Sequence, residues 1–292
     1  MHAESVAGLP EARLRDAGGL AYHGYDLRGG APGEHRGLPS PFLTLVVTFG
    51  EPLSLRGPDG APVRARAVLG GLHDAPATIV HDGRQSGIHV LLDPLAARAL
   101  VGTPAGELAG RAVGADAVLG VDAAELADRV EDAAGWEGRF AALDAVLLRR
   151  LARARRSRVH DEIGHAWRRI LATGGATPVE SLAREVGWSA RHLGQRFRAE
   201  LGVGPKVAAR MARFDRVRRR IAARALAGRS VGLAEVAADG GYADQQHLAR
   251  EFRALAGCSA TRWVAEEIGD GVTGRIGNVH DPVPDHEEAS AS

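Results

Sequence analysis

Between Val179 and Gly257 the chain writes one short pattern twice, and that repetition constrains the fold more than any other feature. The first copy reads VESLAREVGWSARHLGQRFRAELG, Val179 to Gly202, and the second LAEVAADGGYADQQHLAREFRALAG, Leu233 to Gly257. The matches are Ala183/Ala237, Gly187/Gly241, Trp188/Tyr242, His192/His247, Leu193/Leu248, Phe197/Phe252, Arg198/Arg253, Ala199/Ala254 and Gly202/Gly257, with one extra residue in the second turn. Repetition at this scale marks a supersecondary unit used twice.

Each copy reads as two short helices joined by a tight turn. Val179, Leu182, Ala183 and Val186 form one apolar stripe, and Leu193, Phe197 and Leu201 form a second at i, i+4, i+8. Gly187 stands where positive φ lets the second helix leave steeply, which predicts a helix-turn-helix. With Leu193 and Phe197 turned to the core, Arg191, Gln195 and Arg198 fall on the opposite face; in the second copy Gln246, Arg250 and Arg253 do, with Gln245 at the helix start. Arg and Gln read major-groove base edges bidentately, and the N-terminal end of such a helix is the end aimed at bases. Between the copies, a helix over Lys206 to Ala225 spans roughly 30 Å. One turn of DNA is about 34 Å, so the spacer predicts two helices entering successive major grooves.

The stretch resembles the DNA-binding region of AraC/XylS-family transcriptional regulators, which carries two helix-turn-helix units joined by a long helix. The second copy bears the most diagnostic residues: Leu233, Ala237, Gly241-Tyr242, Asp244-Gln245, Leu248, Arg250-Glu251-Phe252, Gly257 and Trp263. Ala260 stands where the family usually has Pro, Leu248 replaces the commoner Phe, and Gly194 leaves one usual base-reading position of the first unit without a side chain. The resemblance implies base contacts from Arg191, Gln195, Gln245, Gln246, His247 and Arg250, and a promoter in double-stranded DNA as the partner. It also implies an N-terminal domain that binds a small-molecule effector or forms a homodimer, and RNA polymerase as a further partner.

Charge agrees with a nucleic-acid surface. The formal charge of the whole chain is only +1, but residues 1–146 carry a net −7, residues 147–270 a net +11 and the remaining tail −3. A basic block on an otherwise acidic chain is the electrostatic footprint of a polyanion binder. A single cysteine, Cys258, excludes an internal disulfide and a cysteine zinc cage, and reads as a small buried residue. No apolar run is long enough for a membrane span and no signal peptide opens the chain, so the expected location is the cytoplasm.

The first half reads as short strands. Met1 to Ser40 reads as a loose start with one strand near Leu20 to Leu27. Strands are expected at Phe42 to Phe49, Leu53 to Leu55, Val63 to Leu69, Thr78 to His81 and Ile88 to Leu92, separated by Gly-, Pro- and Asp-rich turns. With no helices between them they suggest a sandwich or barrel rather than a doubly wound sheet. Helices follow: one opened by Asp93-Pro94 and closed at Gly102, one opened by Thr103-Pro104 with Glu107, then Asp122 to Ala133 and Trp136 to Arg153. The last buries Phe140, Leu143, Leu147 and Leu151 and runs into a basic stretch, Arg149 to Arg158, read as a solvated connector with phosphate contact or a dimer helix as the alternative. Val159 to Ala172 reads as a helix packed under the first repeat, and Thr177-Pro178 as the cap of the next.

The expected architecture is α+β: a mainly β N-terminal sensing or dimerisation domain, sandwich- or barrel-like with trailing helices, over residues 1–155; an all-α double helix-turn-helix domain over 159–268; and a disordered tail over 269–292. His73, His81 and His89 lack the partner spacing of a metal site. No phosphate-cradling glycine motif or nucleophile elbow appears, so neither a cofactor nor an enzyme is expected. The competing reading is an architectural or non-specific DNA-binding protein without an effector.

Overall fold

The computed structural model describes residues 2–154 and 159–268. The first half contains β1 (His2–Gly8), α1 (Ala12–Asp16), β2 (Gly19–Arg28), β3 (Gly33–Gly37), β4 (Leu43–Thr48), β5 (Leu53–Arg56), β6 (Pro62–Ala65), β7 (Ala67–Gly70), β8 (Ala77–His81) and β9 (Gln85–Leu92). A 3₁₀ turn over Pro94–Ala96, α2 (Ala97–Leu100), a second 3₁₀ turn over Ala105–Leu108, β10 (Ala112–Gly114), α3 (Asp116–Leu119), α4 (Val121–Asp132) and α5 (Gly135–Arg153) follow. The second half is helical: α6 (Asp161–Ala172), α7 (Val179–Glu185), α8 (Ala190–Leu201), α9 (Pro205–Leu226), α10 (Leu233–Asp239), α11 (Gln245–Ala256) and α12 (Ala260–Glu267).

The strands form two antiparallel sheets, one ordered β1-β2-β9-β4-β7-β10 and the other β3-β8-β5-β6. Alternation along the strands decides what each face meets. Leu43, Leu45 and Val47 of β4, Ile88, Val90 and Leu92 of β9, and Leu69 of β7 point to the trailing helices and join α4 and α5 in one core. Thr44, Val46, His89 and Val68 point the other way, toward the smaller sheet and a cavity between the two. A mainly β first half with trailing helices and an all-α second half is the expected fold class.

Several local expectations are corrected. The stretch before Ser40 is not loose: it holds β1, α1, β2 and β3. β1 is polar and aperiodic; it is a strand because β2 gives its backbone a complete antiparallel register from His2↔Arg28 to Gly8↔Tyr22, and such non-local pairing leaves no local signal. The single strand expected over Val63 to Leu69 is two, broken at Arg66: β6 pairs with β5 in the small sheet, β7 with β4 in the large one, so the chain turns a sandwich corner there. Thr103 does not cap: the next turn is 3₁₀, its N-cap is Pro104, and no side chain serves it. Likewise Pro178 is the N-cap of α7, while Thr177 donates its hydroxyl to Thr173 Oγ1. Asp93 does cap as expected, its carboxylate accepting from Leu95 N.

The basic run that ends α5 is tied down at its start rather than solvated. Arg150 donates to Asp122 Oδ2 at 2.6 Å and to the carbonyls of Leu100 and Val101 at 2.8 and 2.7 Å, riveting α5 to α2 and α4. Arg149 reaches Glu125 Oε2 at 2.5 Å. Residues 155–158 and the 269–292 tail lie outside the described residues.

Apolar packing runs without a break from the large sheet through α5, α6, α7 and α8 to Ala212 in α9. A second cluster begins at Phe214, within the same helix, and builds the second repeat around Phe252 and Trp263. Among the described residues no helix is long and apolar enough to cross a membrane.

Candidate nucleic-acid interface

Both copies of the repeat fold as helix-turn-helix units with the same local devices. Gly187 and Gly241 take φ +70° and +74°, conformations that a side chain disfavours, and each redirects the chain between its helices. Ser189 caps α8 by accepting from His192 N at 3.1 Å, and Asp244 caps α11 by accepting from His247 N at 2.6 Å. Trp188 meets His192 edge-on with ring centroids 4.6 Å apart, and Tyr242 meets His247 the same way at 5.2 Å. The matched aromatic and histidine therefore form one hinge contact in each copy. Trp167 packs on Phe197 beneath the first unit, and Phe214 with Trp263 on Phe252 beneath the second.

Arg191, Gln195 and Arg198 are exposed on α8, and Gln245, Gln246, Arg250 and Arg253 on α11. Among the described residues, no hydrogen bond or ion pair ties the side chains of Arg191, Gln195, Gln245, Gln246, Arg250 or Arg253, so each is available to an external partner. Arg198 differs: its Nη1 reaches Gly194 O at 3.5 Å, and the guanidinium lies over Gly204. Gly194 is buried under that guanidinium, so Arg198 fills the side of α8 that glycine leaves bare. His247 is half-buried; its ring packs on Tyr242 and its Nδ1 accepts from Ala243 N at 3.4 Å.

The joining helix α9 has 22 residues, about 33 Å at 1.5 Å per residue. Its arginines, counted in the sequence as positive surface, are largely committed to partners within the protein, some buried and some, such as Arg216 and Arg220, at the surface. Arg210 pairs with Glu251 of α11 at 2.8 Å, Arg220 with Asp239 at 2.5 Å and Arg224 with Glu235 of α10 at 2.7 Å. Arg213 donates to Gly175 O, and Arg216 to Asp239 O. Arg218 is fully buried and reaches Asp215 Oδ1 at 2.5 Å, while Arg219 holds Oδ2 at 2.8 Å. These contacts tie the joining helix to both units. Only the i, i+3 and i, i+4 spacing of Asp215 with Arg218 and Arg219 was visible in the sequence.

The family model described as a helix-turn-helix domain matches residues 182–266, a span that takes in both units and the rod between them. Residues 182–266 thus carry a helix-turn-helix domain. The fold of the chain is similar to crystal structures of ToxT from Vibrio cholerae. The apo form of a point variant of ToxT from strain SCE256 matches at TM-score 0.51 and 10% identity, over 88% of this chain and 98% of that one. ToxT from strain O395 matches at TM-score 0.50 and 9% identity, over 85% and 98%. No curated protein sequence matches the chain.

The β half touches both helix-turn-helix units at their rear ends. Arg98 of α2 makes a two-pronged pair with Glu200 of α8 at 2.8 and 2.9 Å. A Cβ on Gly106 would lie 3.0 Å from Ala199 O, so the second 3₁₀ turn packs backbone to backbone against the end of α8. At the second unit, Arg36 N of β3 donates to Glu267 Oε1 at 3.0 Å, the Arg36 guanidinium pairs with Glu266, and Leu38 sits in the second unit's core. Burial pushes the Glu267 carboxyl up to about 7, against the lowering effect of Arg36. Cys258 is buried in the same cluster, and burial raises its thiol. None of these clasping residues carries a signal in the sequence.

The cavity between the two sheets, about 100 Å³, is walled by Val46, Leu53, Val68 and Ile79 and reached by His35, His73 and His89. Among the described residues, the one group of three histidine, cysteine or carboxylate side chains close enough to share an ion is His2, Glu4 and Asp26. Asp26 there already holds Arg28 at 3.0 and 2.7 Å and Ser86 Oγ at 2.6 Å.

Proposed function

We propose that this protein is a sequence-specific transcription regulator whose α8 and α11 read two adjacent major grooves of a promoter, and whose β half holds a small-molecule effector between its sheets. The observation that carries the reading is the pair of recognition helices. Each has a capped, exposed N-terminal end with uncommitted Arg or Gln side chains, and both are held on a rigid rod close to one DNA turn in length. Arg191, Gln195, Gln245, Gln246 and Arg250 supply base readout, Arg253 and Arg198 backbone contacts, and His247 orients the start of α11. Each good bidentate contact is worth roughly 1–3 kcal/mol of discrimination.

The test is selection of bound fragments from a random duplex pool by the full-length protein at near-physiological salt. Two enriched boxes about one helical turn apart support the reading. Uniform enrichment across sequences overturns it in favour of an architectural binder, because binding through phosphates alone carries no sequence information.

A further inference from the structure

The cavity between the sheets has a defined chemistry. His35 on β3 lines it and is only 7% exposed. Its Nε2 donates to Gln85 Oε1 at 2.9 Å, which leaves Nδ1 as a bare lone pair, and that atom is buried with no hydrogen-bond partner. A buried acceptor left unmet costs about 1–3 kcal/mol, so such atoms ordinarily have partners. The rest of the wall is apolar or neutral. Arg111 is the one charged residue on the lining, and it is exposed at the rim. At about 100 Å³ the enclosed space is smaller than the apolar cavity of about 150 Å³ that takes benzene, so a single small ring is its upper limit, and the open side at Arg111 takes up the difference.

Strand β3 also faces outward. It is the edge of the small sheet, paired on one side only, with β8. His35 and Gly37 face the cavity, whereas Arg36 between them spends its N–H and its guanidinium on Glu267 and Glu266 of α12. Leu38, the next residue along, both lines the cavity and packs in the core of the second helix-turn-helix unit. Anything that displaces β3 from inside must therefore move α12 from outside, since packed elements shift together.

We propose that the inter-sheet cavity binds a small, uncharged, hydroxyl-bearing ring compound of phenol size, whose O–H donates to Nδ1 of His35, and that β3 relays its occupancy to the second helix-turn-helix unit through Arg36 and Leu38. The proposal rests on the effector reading above and names its ligand class. An ionised carboxylate is excluded from the interior because no buried cation is there to meet it. Burial holds the His35 imidazole down to about 4, so the ring is neutral and its Nδ1 accepts rather than donates.

The experiment titrates the full-length protein, labelled with ¹⁵N-histidine, with phenol, anisole and benzoate, following melting temperature and the His35 ring nitrogens, and measures affinity for a selected DNA site in the same samples. Phenol is expected to raise the melting temperature saturably and shift Nδ1. Anisole, which has the ring without the donor, is expected to bind about tenfold more weakly, the loss of one hydrogen bond. Benzoate is expected to leave Nδ1 unmoved. Phenol is also expected to change DNA affinity about fivefold or more in the wild-type protein and not in Arg36→Ala, which keeps phenol binding. Equal binding of anisole, tighter binding of benzoate, or no phenol binding at millimolar concentration overturns the ligand class. Phenol binding with DNA affinity unchanged in the wild type overturns the relay. Sequence-selective DNA binding with no phenol response sinks this inference alone, and loss of sequence selection with phenol response intact sinks the regulator reading alone.

Discussion

Replacing Asp215 by Ala removes both carboxylate oxygens that hold the middle of the joining helix. Asp215 is 6% exposed and Arg218 fully buried, with Nη2 to Oδ1 at 2.5 Å; Arg219 Nε reaches Oδ2 at 2.8 Å. The variant takes from the buried Arg218 guanidinium the carboxylate it holds, and breaking a buried pair from one side costs about 3–5 kcal/mol. A whole domain is stable by only about 5–15 kcal/mol, so the loss is a large part of the total. Arg219 adds less, because its side chain is 22% exposed. Urea unfolding followed by far-UV circular dichroism measures the cost, and the double variant Asp215→Ala with Arg218→Met is the control. Removing both charges is expected to recover most of the loss, since what destabilises is a buried charge that has lost a carboxylate packed against it rather than the absence of the pair. Because Phe214 and Ala212 lie where the two apolar clusters meet on α9, the single variant should also weaken binding to a two-box DNA site more than to a one-box site. A single-variant cost under about 1 kcal/mol, or a double variant no better than the single, refutes the assignment of Asp215 as the counter-ion of the rod.

Gln246→Ala is expected to relax specificity at one base pair by roughly 1–3 kcal/mol and leave the salt slope unchanged, read by competition binding at several salt concentrations; uniform loss on all sequences refutes base contact. Gly187→Ala and Gly241→Ala should each cost roughly 1–2 kcal/mol by thermal unfolding, a backbone effect, since a Cβ at either position meets nothing within 4 Å. Glu267 is 3% exposed and its carboxyl, raised from 4.5 to about 7, binds its proton more tightly folded than unfolded. Its contribution is therefore fully present below about pH 4.5 and is lost as pH rises through about 7, worth about 3 kcal/mol across the interval. The groups facing it are Arg36, which favours the charged form, and Glu266, which opposes it. Glu267→Gln should flatten this part of the stability–pH curve between pH 5 and 8; an unchanged slope refutes the origin.

The sequence by itself determined what is local and periodic. The repeat, its apolar stripes, the turn glycines, the outward face carrying Arg191, Gln195, Gln246 and Arg250, and the long joining helix follow from spacings of three to eight residues, and within such spans backbone geometry leaves little choice. The strands from Phe42 to Leu92, apart from the sheet-changing break at Arg66, were legible because β-branched and aromatic runs alternate there between turn signals. Only tertiary structure decided the rest, and in each case the cause is a contact between residues far apart in the chain. The polar stretch His2 to Gly8 is a strand because β2 lies beside it. Arginines that summed to a DNA-facing charge find partners within the protein on α9 because carboxylates and carbonyls from α10, α11 and the turn before α7 arrive at the right heights. His35 gains a buried, unmet nitrogen, and Arg36 beside it a clasp on α12, because one edge strand has the cavity on one side and the second DNA-binding unit on the other. A pattern in sequence records which face a side chain takes, but what that face meets depends on the path of the whole chain.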